Sequence, residues 1–457
     1  MILKDKRIKK VHMIGIGGAG MSPIAELFIA NGIEVSGSDK NDSRRIKSLI
    51  KKGAKINGFH SGKNIKDPDV IFFSSAIPDD NPELLEGIKR NMKILHRTDA
   101  LNILSEGKKG IFIAGCHGKT TTTSLLSIIL SEAGENPACV IGGELIDFCL
   151  HNKSLPEKIF FIAEADESDG SFIKYMPYLS VITNVEYDHM SFYKTKKKLH
   201  DYYIRFAKES VLPAVINGSD SISSRIFKGV DKKTFGYTAC DINISDLVLK
   251  NMKSYFNLSL KGGHKVSFEV WSPGTFMAEN VAAACLAADF FDINLETASM
   301  AIKKFKGLKR RFECLGQVGG VTVIEDYSHH PTEIFVTLKA LKESVKDNAR
   351  KIVTVFQPHR FSRTKDLWKD FARAFRWSDY TIFTDVYSAF EKPQKGIDGT
   401  LIYNEAKRNG LKCAYVTDKS EIPPLLPDLL KEGDYLMIMG AGDINEIKQK
   451  TFKILKT

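Results

Sequence analysis

The sequence predicts an α/β protein of three domains: a Rossmann-like N-terminal domain, a central P-loop α/β domain and a Rossmann-like C-terminal domain. Three observations carry this. Two segments, Val11 to Gly20 and Ile111 to Lys119, run from an apolar strand through a glycine turn into a helical pattern. That is how a parallel sheet presents phosphate-binding loops at its carboxyl edge. A third region, from about Arg311, alternates apolar strands with helical segments. At 457 residues the chain also exceeds the roughly 250–300 residues at which a single core stops growing.

In chain order, the first domain is expected over residues 1–107. Its strand from Val11 enters the turn Gly15-x-Gly17-x-x-Gly20, a helix runs to about Ala30, and further strands fall at Glu34–Gly37, Val70–Phe73 and Ile94–Leu95. The polar, glycine-bearing stretch Ser105–Gly110 reads as a linker. The second domain, 108–310, opens with the strand Ile111–Ala114, a second glycine turn and a long helix from Lys119 to Ala133. Buried strands follow at Ile159–Ala163 and Ser180–Thr183. The third, 311–457, carries strands at Val321–Glu325, Lys351–Phe356, Tyr380–Thr384, Cys413–Val416 and Tyr435–Met439, as a doubly wound sheet would.

Composition narrows the function classes. A hydrophobic fraction of 43% supports well-buried domains, and the net charge of +11 is spread through helical patterns as solvated faces. No basic stripe interleaved with aromatics appears, so no nucleic-acid partner is expected. The seven cysteines, at 116, 139, 149, 240, 285, 314 and 413, include no CxxC pair. That spacing argues against a disulfide framework or zinc cluster and for a reducing cytoplasm. No apolar run approaches the roughly 18 residues of a membrane span, and the basic stretch Met1–Lys10 has no apolar segment behind it. The chain is therefore expected to be cytoplasmic, unprocessed and not inserted in a membrane.

The chemistry-bearing residues fall at strand ends. Gly15, Gly17 and Gly20, with Asp39 after the next strand, form a literal dinucleotide fingerprint in which the glycines admit a phosphate and the acid meets a ribose. The second loop, Gly115-Cys116-His117-Gly118-Lys119-Thr120-Thr121, is more specific. Ile113 stands where the full Walker pattern has its first glycine, yet the shortened loop still offers backbone N–H groups, a lysine for the β/γ-phosphates and a threonine for magnesium. Glu164, Asp166, Glu167 and Asp169 follow the next strand, where a P-loop protein places a metal carboxylate. Asn184, Asp188 and His189 end another strand at the same edge. In the third domain Arg310, Arg311, Asp326, His329, His330, His359, Arg360 and Arg363 gather at segment ends. Arginines there suit carboxylate and phosphoryl groups.

With both loops, A-E-A-D-E-S-D, T-N-V-E-Y-D-H-M, D-Y-S-H-H-P-T-E and Q-P-H-R-F-S-R-T in their order, the sequence resembles the Mur ligases from about Lys10 to Asp443. The resemblance implies a UDP-sugar domain, a central ATPase domain and an amino-acid domain. It implies ligation of L-alanine to the lactyl carboxylate of UDP-N-acetylmuramate through an acyl phosphate, with ATP as co-substrate and two Mg2+ sites. By motif position, Gly17, Gly18, Ala19, Gly20, Met21, Ser38, Asp39, Ser75 and Ala76 would serve the UDP-sugar. Gly115, Cys116, His117, Gly118, Lys119, Thr120, Thr121, Asn280, Arg311 and Asp326 would serve ATP, and Thr120, Glu164 and His189 the metal. Lys119, Glu164, His189, Arg311 and His329 would be catalytic, and His329, Arg360 and Arg363 would hold the amino acid. A monomer or weak homodimer is implied.

Cys116 stands where the family usually has threonine, and Phe276 and Met277 stand where it has histidine and asparagine; Asn280 is retained. An aromatic and a thioether can sandwich a purine. Two alternatives remain at this point: a ligase that attaches a recycled murein tripeptide to the same UDP-sugar, and, from another class, a NAD-dependent dehydrogenase that the first glycine loop alone would suit. A nucleotide-sensing module without catalysis would leave the third-domain arginines without a purpose.

Overall fold

A computed structural model of the chain describes residues 8–146, 159–346, 350–389 and 391–456. The basic N-terminal stretch up to Arg7 and Cys149 lie outside the described residues. The chain forms two compact units. One holds residues up to Ser245 with Asn257–Phe268 and Glu279–Phe305; the other holds Asp246–Phe256, Glu269–Ala278 and everything from Lys306.

The first sheet is parallel and consists of β1 (Lys10–Ile14), β2 (Glu34–Ser38), β3 (Lys55–Asn57), β4 (Val70–Phe73) and β5 (Ile94–His96), in the order β3-β2-β1-β4-β5. The order reverses direction on either side of β1. Chain crossovers diverge there, and a crevice opens at the carboxyl ends.

The second sheet contains β6 (Lys109–Ala114), β7 (Ala138–Val140), β8 (Phe160–Glu164), β9 (Leu179–Ile182), β10 (Ala214–Asn217), β11 (Lys232–Gly236), β12 (Ile242–Lys250), β13 (Lys253–Leu260) and β14 (Val266–Trp271). Its order is β14-β13-β12-β11-β10-β9-β6-β8-β7. The central β6 lies between β8 and β9, both parallel to it. The loops after these three strands therefore open side by side.

The third sheet holds β15 (Glu313–Val318), β16 (Val321–Asp326), β17 (Ile352–Phe356), β18 (Tyr380–Phe383), β19 (Cys413–Tyr415) and β20 (Tyr435–Met439), in the order β15-β16-β20-β17-β18-β19. All neighbours are parallel except β15 with β16.

Two expectations change. The stretch Ser105–Gly110 is a linker only over Glu106–Lys108, because Ser105 closes the helix Arg97–Ser105 and Lys109 and Gly110 pair with Phe160 and Phe161 as part of β6. The strands β10 to β14 were not anticipated. The helix Lys119–Glu132 was, and every residue from Thr121 to Leu130 is buried, because sheet strands and the helix Leu295–Lys303 cover it on different sides. Truncating a fully buried leucine leaves a cavity that neighbours fill only in part. Leu126→Ala should accordingly destabilise the protein by about 2–5 kcal/mol, read from the urea midpoint of unfolding.

Candidate active site

The second glycine loop connects β6 to the helix Lys119–Glu132 and is clamped from below. Gly115 and Gly118 adopt φ of 133° and 82°, where a side chain is strained. A Cβ at Gly118 would also strike the Asn280 amide, and one at Gly115 the Thr183 hydroxyl. Asn184 accepts the His117 N–H at 3.0 Å and donates to the His117 carbonyl at 3.0 Å. Thr122 donates to Asn280 at 3.2 Å. Thr121 is buried, so it can offer the loop only its backbone. The Cys116 thiol donates to the Glu186 carbonyl and accepts the Glu186 N–H at 3.1 Å. Burial pushes that thiol well above its ordinary value; Cys116 is a structural clasp.

Lys119 Nζ curls over the loop to the Gly115 carbonyl at 2.5 Å and pairs with both Glu167 oxygens at 2.9 and 3.0 Å. Burial works against its charge, but Glu167 and Asp166 hold it protonated, above the usual lysine range. The Thr120 hydroxyl meets Glu164 Oε2 at 3.0 Å, while the Gly142 N–H fixes Oε1 at 2.7 Å. A hydroxyl and a carboxylate converging beside phosphate-binding amides are the hard oxygen donors that Mg2+ takes alongside nucleotide oxygens. These residues fit the ion. His189, at φ 54°, brings Nε2 to 3.9 Å from Glu167 and 3.5 Å from Asp188.

The four acids at and after the end of β8 therefore divide. Glu164 and Glu167 face the phosphate loop. Asp166 instead pairs with Arg97 at 2.5 Å, and Asp169 takes Ser75 at 2.6 Å and lies 3.5 Å from His96. Burial would raise the Asp166 carboxyl, but Arg97 and Lys119 together hold it well below the usual range.

The first glycine loop is pinned by Ser38, whose carbonyl accepts from the N–H groups of Gly15 and Ile16. Gly18 and Ala19 form its exposed crest, and Ser75 and Ala76 are exposed nearby in sequence to β4. Three of the residues assigned to the UDP-sugar have other duties. Met21 is core. The Ser38 hydroxyl is fully buried, donating to Glu83 at 2.6 Å and paired with His60 Nδ1 at 2.8 Å. Asp39 accepts the Gly17 N–H at 2.9 Å, which engages one oxygen of the acid that a dinucleotide fold aims at a ribose. A Cβ at Gly20 would sit 2.5 Å from Arg97 Nη1, so the Arg97 guanidinium lies close under this turn.

In the second unit, Asp326 is buried and holds the Phe312 N–H at 2.7 Å and the Ser328 N–H at 2.8 Å, together with the Ser328 hydroxyl. Both oxygens are engaged inside the chain, so Asp326 shapes the loop. Arg310 binds the Gly440 and Gly442 carbonyls and Glu325 and is likewise a brace. Arg311 lies over the Tyr327 ring and 3.8 Å from Glu333. His330 caps the helix Pro331–Ser344, and Glu333 reaches back to the N–H groups of His329 and His330. His329 Nδ1 faces the Tyr327 carbonyl at 3.1 Å; a carbonyl only accepts, so Nδ1 bears the hydrogen and Nε2 presents a lone pair. Arg360, at φ 75°, starts the helix Phe361–Ala374, and Arg363 on its first turn returns to the His359 carbonyl at 3.4 Å. Met277 is buried.

Glu167, Arg97, His60 and Glu83 were absent from the assigned site. Glu167 lay within a segment already singled out. The other three occupy no glycine or phosphate motif, and only the fold brings them to the loops.

Known proteins share this organisation. The family described as Mur ligase family, catalytic domain, matches residues 10–109; the Mur ligase middle domain matches 113–288, and the Mur ligase glutamate ligase domain matches 310–442. A UDP-N-acetylmuramate–L-alanine ligase of Pelotomaculum thermopropionicum is 39% identical over 96% of this chain and 96% of its own length. One from Geotalea daltonii is 37% identical over 98% and 99%. The crystal structure of the UDP-N-acetylmuramate–alanine ligase of Thermotoga maritima superposes with a TM-score of 0.82 at 26% identity, covering 97% of this chain and 98% of that one.

Burial, with Arg363, Arg311 and His359 adding to it against Glu333, pushes His329 down to about 3; His359 is pushed down to about 4 by burial and its arginines. An unfolded chain takes up protons near 6.5 that native His329 refuses, so its contribution to stability is complete above about pH 6.5 and is lost as pH falls toward 3. Histidine ring resonances should show His329 and His359 untitrated from about pH 5.5 to 8, and His329→Asn should flatten the acid branch of the stability curve between pH 6.5 and 3.

Proposed function

The chain belongs to the Mur ligase family, and from that premise we propose that it joins L-alanine to the lactyl carboxylate of UDP-N-acetylmuramate, with ATP converted to ADP and phosphate. The reaction makes a peptidoglycan precursor. The observation that carries the reading is the second glycine loop itself, with Lys119 folded over its Gly115 carbonyl and Thr120 joined to Glu164, in a chain whose full-length relatives are named alanine ligases.

A carboxylate is a poor electrophile, so the chemistry runs in two stages. A lactyl carboxylate oxygen attacks the γ-phosphorus, the bond to the β–γ bridging oxygen breaks, and ADP leaves. The neutral amine of alanine then adds to the acyl carbon, and the tetrahedral intermediate expels phosphate as the amine loses its proton. Lys119, held charged by its carboxylate neighbours, lies where negative charge spreads in the first stage. Mg2+, when bound by Thr120 and Glu164, with a second ion at His189 beside Glu167, supplies further neutralisation of phosphate charge. Gly17, Gly18, Ala19 and Gly20 receive the UDP diphosphate, and Arg311, His329, Arg360 and Arg363 hold the amino-acid and phosphoryl groups. The place of action is the cytoplasm, and no helix among the described residues is long and apolar enough to cross a membrane.

Against the dehydrogenase alternative stand the three Mur ligase domain matches along the chain and its full-length relatives named alanine ligases. Against a tripeptide-recycling ligase stand the full-length relatives named for alanine.

Lys119→Ala should lower ligation by about 100-fold to 1,000-fold or more, the cost of removing a preorganised charge from a phosphoryl transition state. UDP-sugar affinity, measured by calorimetry, should stay near that of the wild type, since Lys119 belongs to the other loop. Positional isotope exchange in ATP, run with UDP-N-acetylmuramate and no amino acid, should appear in the wild type and vanish in the variant. Normal turnover by the variant overturns the role. Separately, Glu164→Gln keeps the shape and removes the charge. Its kcat should drop by about 100-fold or more with the thermal midpoint little changed, and unaltered turnover at limiting magnesium would remove Glu164 from the metal site.

A further inference from the structure

Positive charge is concentrated at one place beside the second glycine loop: Lys194, Lys196, Lys197 and Lys198 fall within five residues. Lys194 closes the short helix Met190–Tyr193, and the other three open the helix Lys196–Lys208. Lys194, Lys196 and Lys197 are exposed, and Lys198 is half-buried. A helix N-terminus is the positive end of the backbone dipole, so cations are unfavourable there and acids are the ordinary choice. This first turn holds no acid; Thr195 caps the helix, its hydroxyl accepting the Lys198 N–H at 3.2 Å. Asp201 pairs with Lys197 at 2.7 Å. Lys194, Lys196 and Lys198 have no ion-pair partner among the described residues.

Two of these three are fixed without being neutralised. Lys196 Nζ lies 4.2 Å from the centre of the Tyr187 ring, and Lys198 Nζ lies 4.6 Å from that of Phe192. An aromatic face holds an ammonium and leaves its charge intact. The ammonium groups cover the rings, so the patch lacks the open aromatic platform of a nucleic-acid surface. Both rings belong to the segments beneath the phosphate loop. Tyr187 lies between Glu186, which clasps Cys116, and Asp188, which faces His189. Phe192 packs so closely on Gly170 that a Cβ there would sit 2.5 Å from its ring, and Tyr193 donates to the Glu167 carbonyl at 2.5 Å. Lys194 is five residues beyond His189, about 8 Å along a helix. That is within the Debye length of about 8–10 Å near physiological salt.

The mouth of the loop is acidic. Glu164 lies against Thr120, Glu167 against Lys119, Glu186 against His117, and Asp188 beside His189. A polyphosphate approaching from solvent meets these carboxylates before the loop amides reach it, and like charges slow its approach. We propose that Lys194, Lys196 and Lys198 form a cationic rim that draws the nucleotide polyphosphate to the second glycine loop, setting its rate of arrival and taking no part in bond making. The proposal rests on the reading that this loop receives ATP. A helix start that breaks the usual charge preference is then explained by a field aimed at the site.

The test is stopped-flow association of ADP, carrying an N-methylanthraniloyl group on its ribose, with the full chain from about 0.01 M to about 1 M salt. The wild-type association rate constant should fall steeply as salt rises. The triple substitution Lys194→Gln, Lys196→Gln, Lys198→Gln should lower it about 10-fold at low salt and meet the wild-type value at high salt. Its dissociation rate constant, and kcat at saturating substrates, should be unchanged. Arginine at the same three positions should restore the rate, because arginine keeps the charge. Lys196→Gln should slow association more than Lys208→Gln at the far end of the same helix, about 18 Å away and roughly two Debye lengths distant. If the triple variant associates like the wild type at low salt, or loses affinity through faster dissociation, the inference falls and the ligase reading stands. A wild type that binds neither ADP nor ATP overturns both.

Discussion

The buried ion pair between Lys119 and Glu167 is the interaction around which the catalytic region is arranged. Two charges removed from water are tolerated only when each is paired and further hydrogen-bonded, and deleting one leaves the other exposed to the full penalty. Here Glu167 is held by both its oxygens on Lys119, with its own carbonyl accepting from Tyr193 at 2.5 Å and His189 3.9 Å from the carboxylate. The strand β8 can then deliver its acids at fixed spacing. Glu164 goes to Thr120, and two residues on, Asp166 turns toward Arg97.

That turn joins the two phosphate loops. Arg97 pairs with Asp166 and lies against Gly20, so the side chain that closes the floor of the first glycine loop is charge-balanced by an acid of the segment that lines the second. Asp169 repeats the link through Ser75 and His96. An electrostatic seam of this kind ties the two loops to one another, which the proposed transfer of a phosphoryl group from one nucleotide to the sugar of another would require.

Much of this was legible because glycine, lysine and acidic residues seldom gather at strand ends unless a phosphate and its counterion are to be held there. Gly115 and Gly118 are forced by positive φ and by Thr183 and Asn280 behind them, and a shortened Walker pattern announces that geometry. The side a motif residue faces is not announced. Ser38 and Met21 sit within the right loops but point into the core, where burial by helices and neighbouring strands decides. The hairpin of β12 and β13 escaped because its turn, Asn251–Met252, takes φ of 50° and 59° without a glycine, although β12 alternates inward and outward residues over its first half. His60 and Glu83 were invisible for another reason: they meet Ser38 across 22 and 45 residues of chain, and only the sheet order brings them together.

The second unit holds a largely buried histidine that can serve the proposed reaction without being a base. One carboxylate, Glu333, fixes the N–H groups of His329 and His330 and attracts Arg311. The Tyr327 carbonyl claims the His329 Nδ1 hydrogen, which leaves Nε2 as an acceptor. With burial and three cationic or ring neighbours pushing its titration to about 3, that nitrogen is a weak base at neutral pH, mismatched to removing a proton from an ammonium group. It is well matched to accepting a hydrogen bond from an amine and aiming the amine lone pair at an acyl carbon. The proton released as the amide forms therefore leaves to a stronger acceptor, and the departing phosphate is the one the reaction itself provides. In the proposed reaction His329 would orient the nucleophile, and the phosphoryl group transferred in the first stage would carry off the proton of the second.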